Sequence, residues 1–252
     1  MNIDGNGASR LIDGSGRTVN VYGLIFTGEQ YIDTGLPADG LGTRIVMEFA
    51  LTSVSPIFTI FGARRSINEY NFGFAVGGDA NNLQQRWRMN YGNTYTTLAA
   101  PGGNANLARN VVDAQGGVFR LNGAALGTPF PPAAFTTGGP GAPLSLVLGG
   151  LNDNVAVSAQ RMRAVCYRYR HYDTTDPYRP LRLDLIPVPQ GDTTWSRVPA
   201  PSPCMWDAVS RRYFENAGTG DFGIVGDGTA YDRGLLIDGG STATMPAAGV
   251  RL

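Results

Sequence analysis

The chain has 252 residues, enough to bury a sizeable core, and all-β domains of this length are routinely single. Its 35 glycines and 16 prolines exceed what long helices tolerate, and only 16% of residues are charged, so a helix-rich fold is disfavoured. The formal net charge is zero, with arginine supplying every cation and acidic residues matching them along the chain, so there is no electrostatic footprint for nucleic acid.

Met1 to Asn20 is rich in Gly, Asn, Asp and Ser around a short apolar island at Leu11 and Ile12. It reads as an arm or a loosely ordered strand, and as a candidate docking segment. No basic, then apolar, leader opens it, and nowhere does the chain approach the roughly 20 apolar residues of a membrane span. Neither a cleaved export signal nor a membrane partner is therefore expected. From Val21 the texture changes to short runs at 21–26, 30–33 and 43–52, broken by Thr-Gly and Pro-Ala-Asp-Gly turns. In 44–51, Ile45, Met47, Phe49 and Leu51 share one parity, while Arg44 and Glu48 fall on the other, the period of a half-buried strand.

The same reading predicts strands at 57–63, 71–76, 85–91, 108–113, 117–121 and 144–149, with surface loops at 98–106 and 126–143. The Pro-Phe-Pro-Pro run at 129–132 lacks the amide donors a central strand needs. Met162 to Tyr172 predicts a central strand with Val165, Tyr167, Tyr169 and His171 on one inward parity. Leu181 to Ile186 alternates again, and Pro187 and Pro189 are expected to stop it. Asp207 to Phe214 fits either a helical turn or a hairpin. Cys166 and Cys204 exclude a disulfide framework and are expected as buried thiols, since a bridge would need a proximity that spacing does not show. Regular short strands with turn signals predict an all-β, two-sheet antiparallel β-sandwich.

Five segments, in order, carry a family resemblance: Tyr31-Ile32-Asp33-Thr34-Gly35; 60–64 before a Phe-Gly-Phe strand; Phe119-Arg120-Leu121-Asn122-Gly123; 163–173 leading into 184–188; and Cys204-Met205-Trp206-Asp207 leading into 213–222. Together they resemble the concanavalin A-like, laminin G-like (jelly-roll) modules of bacteriophage virion proteins and bacterial surface proteins. Physically they are punctuation, with Asn122-Gly123 supplying a positive-φ hairpin pair and 216–220 closing a corner. The resemblance covers most of 22–225 and implies a lectin-like domain at 21–226. It leaves 1–20 as an arm and 227–252 as a C-terminal extension, and these ends share Leu-Ile-Asp-Gly at 11–14 and 236–239. They are candidates to pair as an edge or to grip a neighbouring subunit.

Catalytic chemistry is poorly represented. There are only four glutamates, at 29, 48, 69 and 215, and no close acidic run to line a strand face as paired glycosidase carboxylates. The sole histidine, His171, lies on the apolar parity of its strand and is expected to be a satisfied structural residue rather than a triad base. One histidine and two distant cysteines do not make a zinc site. The oxygen-rich loops 78–82 and 152–154 could hold calcium, but Asn and Asp serve turns for backbone reasons alone. No metal or cofactor is expected.

Sugar recognition pairs an aromatic face with amides, carboxylates or arginines. The cluster that best fits is Tyr70, Arg86, Trp87, Arg88, Asn90 and Tyr91. With Trp87 and Met89 inward, Arg86, Arg88 and Asn90 would line the outer face; the opposite register would expose Trp87, although large aromatics are mostly buried. The expectation is a non-enzymatic virion structural protein, a capsid decoration, head fibre or tail-associated adhesin assembled in the host cytoplasm. Its expected partners are other virion proteins, further copies of itself and a cell-surface glycan. A bacterial surface carbohydrate-binding module and a polysaccharide depolymerase are the alternatives.

Overall fold

Where apolar and polar residues alternate, the chain forms paired strands. The computed structural model describes residues 2–3, 9–12, 18–19, 22–37, 41–54, 57–65, 71–78, 85–92, 94–97, 104–130, 144–154, 156–193, 195–225 and 250–251. Every described strand pair is antiparallel, and there is no helix among the described residues.

One sheet has six strands in the order β10 (Thr94–Thr97), β9 (Gln85–Gly92), β8 (Asn71–Gly78), β7 (Phe58–Ala63), β14 (Ser145–Leu148) and β5 (Ile32–Pro37). The larger sheet runs β13 (Ala124–Ala125), β12 (Val118–Leu121), β11 (Arg109–Gln115), β6 (Thr43–Leu51), β15 (Arg163–Asp173), β16 (Leu181–Val188), β17 (Cys204–Asp207) and β18 (Arg212–Phe214). β4 (Gly23–Thr27) also pairs with β15, and β19 (Gly223–Val225) joins β4 to β20 (Val250–Arg251). Near the N-terminus, β1 (Asn2–Ile3), β2 (Ser9–Ile12) and β3 (Thr18–Val19) form a small separate sheet. Leu11 and Ile12 pair there with Val19 and Thr18, while residues 236–239 lie outside the described residues.

The two large sheets pack face to face. Ile45, Met47, Phe49 and Leu51 of β6 all enter the shared core, as their parity requires. Across the layer gap Phe49 meets Phe74 and Trp87 edge-on, at centroid distances of 6.4 and 5.9 Å, and Phe119 stacks on Phe74 at 6.3 Å. Each fully buried side chain of this size contributes about 1.5–3 kcal/mol through the area it removes from water. The sandwich expected from the alternating runs is thus the observed fold.

Two local expectations change and an open one is resolved. β15 does not keep one parity, because the register shifts between Cys166 and Arg168, leaving Tyr167 as an extra residue opposite β6. Such a bulge reverses the side-chain alternation beyond it. Ala164, Cys166 and Tyr169 therefore face the core, whereas Val165 and Tyr167 join an outer cluster with Ile25, Ala50 and Val225. β16 does not stop at Pro187, which pairs with Met205; β15 pairs with β16 only through Leu185, so no ladder amide is needed on that side. Asp207 to Phe214 is a hairpin, closed by the Arg211 amide donating to the Asp207 carbonyl.

Candidate functional site

The β9 cluster divides between the two faces of its sheet. Trp87 and Tyr91 are both 0% exposed: Trp87 stacks on Phe74 at 5.3 Å, and Tyr91 on Phe130 at 5.8 Å. Neither ring can receive a sugar, which corrects their reading as ligand-binding residues; burial of their large apolar area takes both into the core. Arg86 and Arg88 are half-buried on the opposite parity, where Asn90 is also buried, with Oδ1 lacking a hydrogen-bond partner among the described residues. Arg88 lies across the Gly77 backbone, at a place where a Cβ would stand 2.5 Å from its Nε. Tyr70 lies outside the described residues.

A different place gathers polar groups around open space. At one end of the sandwich, β5 closes the six-stranded sheet with Leu36 and Pro37, β6 starts at Thr43, and the β15–β16 hairpin supplies His171, Asp173, Thr175 and Arg182. These residues and Gly42 line a cavity of about 300 Å³ between the layers. Its position follows from the topology: β5 and β6 belong to opposite sheets, and the β15–β16 hairpin forms the facing wall.

Backbone bonds fix that wall. The Thr174 amide donates to the Gly42 carbonyl at 2.6 Å, and the Asp173 amide to the Pro180 carbonyl at 2.6 Å. Thr175 donates to Asp173 Oδ1 from its amide (3.0 Å) and its hydroxyl (2.6 Å). Arg182 Nη2 donates to Asp173 Oδ2 at 2.9 Å and to Asp176 Oδ2 at 3.0 Å. The Thr175 hydrogen bonds, and then Arg182, hold the Asp173 carboxyl down at about 2, so it is ionised at neutral pH. The turn that carries Asp176 also carries Tyr178, which is 91% exposed and donates its amide to Asp176 Oδ1.

His171 is the unexpected member. It is only 3% exposed, and burial pushes its pKa down from 6.5 to about 4, so the ring is neutral at pH 7. Contrary to the expectation of a satisfied structural residue, its Nδ1 is buried with no hydrogen-bond partner among the described residues. A buried orphan of this kind costs about 1–3 kcal/mol. Sequence reading missed the site because its parts lie on four strands, and the one signal present was a lone histidine followed two residues later by Asp173.

The calcium candidate at 152–154 has other work. Asp153 accepts a two-pronged bond from Arg64, at 2.9 and 2.6 Å, and Asn152 donates to the Ser145 carbonyl at 2.9 Å. Asn154 sits at φ 59°, a turn position. Residues 79–84 lie outside the described residues, and no group of three or more His, Cys, Asp or Glu side chains among the described residues could hold a metal ion. Cys166 and Cys204 are buried free thiols, and burial raises both, Cys204 to about 12.

No family model and no curated protein sequence matches this chain. Among solved structures, the fold is similar to that of a Bacteroides ovatus protein described as a candidate carbohydrate-binding protein, with a TM-score of 0.53 and 12% sequence identity. The match covers 81% of this chain and 59% of that one, so this chain spans about three-fifths of its neighbour's length. What the two share at this identity is the fold, a two-sheet β-sandwich.

Proposed function

We propose that this chain is a non-catalytic carbohydrate-binding module and that its ligand occupies the cavity at the β15–β16 hairpin. The observation that carries the reading is the composition of that cavity. An ionised carboxylate, a guanidinium, a threonine hydroxyl and a neutral imidazole are held beside the apolar surface of Leu36 and Pro37. A sugar ring presents the complementary surface, hydroxyls on its rim and C–H groups on its faces. The volume lies at the small end of the range for small-molecule sites, which suits one ring rather than a chain of them. The likeness in fold to a protein described as carbohydrate-binding supports the same reading.

The state of the acids supports binding without cleavage. A glycosidase needs one carboxyl raised in pKa to protonate the leaving oxygen. Asp173 is driven the opposite way, and Glu48 is engaged by Arg109 at 2.8 Å. Display on a phage particle, in contact with other virion proteins and further copies of this chain, rests on the segment resemblance alone, and the binding reading does not require it.

The test is a glycan array on the full chain, followed by calorimetry with the best ligand. Asp173→Ala should weaken binding by about tenfold or more, the loss expected for a charged hydrogen-bonding partner. Tyr178→Ala should weaken it by about two- to tenfold if the exposed ring stacks on the sugar, with no change in melting temperature. Failure of the wild-type chain to bind any glycan, or full affinity in Asp173→Ala, would sink the proposal.

A further inference from the structure

The charges around the cavity carry the ligand assignment one step further, and this step rests on the carbohydrate reading above. Arg182 is the one cation among the described lining residues. Two carboxylates flank it, Asp173 inside the cavity and Asp176 on the adjoining turn, both bonded to the same Nη2. His171 contributes no positive charge at neutral pH, because burial keeps its ring unprotonated. Within this bonded trio, one guanidinium against two carboxylates leaves an excess of one negative charge. The turn geometry reinforces the arrangement: the amides of Tyr178 and Arg179 donate to Asp176 Oδ1 at 2.9 and 3.0 Å, holding the second carboxylate toward Arg182.

We infer that the cavity selects an uncharged, hydroxylated sugar ring and discriminates against sugars that carry a carboxylate. Asp173 supplies the direction of the contact. Its Oδ1 already accepts twice from Thr175 and its Oδ2 once from Arg182, so the remaining lone pair suits a sugar hydroxyl as donor. A ligand carboxylate has no proton to give there and would meet Asp173 and Asp176 as like charges, a repulsion felt most at low salt because both carboxylates are partly exposed.

Calorimetry on the full chain tests this with matched ligands that differ only in a carboxylate, a neutral glycan from the array and its uronic counterpart. The neutral partner should bind about tenfold more tightly at low salt, as like-charge juxtaposition predicts. Asp176→Asn, at an exposed turn and checked for an unchanged melting temperature, should shrink the preference, as should raising the salt to screen the excess charge. Equal or tighter binding of the acidic ligand overturns the inference and leaves the carbohydrate reading standing. So does a preference that Asp176→Asn and salt both fail to move. Binding of neither ligand overturns both.

Discussion

At the scale of single residues, His171 is where folding and binding pull apart. Its folded-state pKa of about 4 lies below the ordinary 6.5, so the native state resists taking a proton that the unfolded chain accepts readily. Stability is therefore complete above pH 6.5 and falls as pH drops toward 4, by a total on the order of 3 kcal/mol. Because His171 is the only histidine in the chain, that window isolates it. His171→Leu removes both the titration and the orphaned Nδ1. Urea unfolding should show it about 1 kcal/mol more stable at pH 7 and flat between pH 6.5 and 5, with glycan affinity reduced. A variant less stable at pH 7, with the slope intact, would mean that the ring is satisfied after all. Trp87 makes the opposite case. Trp87→Phe should lower stability by about 1–3 kcal/mol and leave the affinity of the folded protein unchanged, since the indole packs on Phe74 in the core.

At the scale of elements, turns and register shifts decide what faces where. Asn122 and Gly123, at φ 52° and 83°, make the two-residue β12–β13 turn that their dipeptide announces. The β17–β18 hairpin depends on Asp207, which is 0% exposed and accepts from the backbone amides of Asp184 (2.8 Å), Val209 (3.2 Å) and Ser210 (2.8 Å). Asp207→Ala would leave the buried Asp184 amide unpaired and should cost about 2–3 kcal/mol in denaturant unfolding, while Asp207→Asn keeps an acceptor and should cost less. On the outer face of the larger sheet, arginines reach diagonally to acids on the next strand, as in Arg44–Asp113 at 2.8 Å and Arg168–Asp184 at 2.6 Å. Arg109 completes the row, bonding Glu48 while covering the Tyr167 ring at 3.9 Å. These pairs account for Arg44, Arg109 and Arg168, on the outward parity of β6, β11 and β15, without assigning them a ligand.

At the scale of the whole molecule, residues far apart in sequence meet at corners that no local pattern describes. Asn216 Oδ1 accepts from the Tyr31 amide at 3.1 Å and from the Gly218 amide at 2.8 Å, and its Nδ2 donates to the Gly220 carbonyl at 2.6 Å. Two of the segments that carried the resemblance, at 31–35 and 213–222, are thus two halves of one joint. The sequence by itself determined the class of the fold: period-two runs between turn residues specify an antiparallel all-β body, because each alternating strand must bury one face. It also determined which residues of β6 enter the core, as their parity is unbroken. It could not determine the facing of β15, because one extra residue at Tyr167 inverts everything after it. Nor could it single out the cavity: Leu36, Thr43, His171 and Arg182 become neighbours only when β5 and β6 close opposite sheets over the β15–β16 hairpin. Proximity across layers is set by packing, and alternation records only which side of a strand each residue takes.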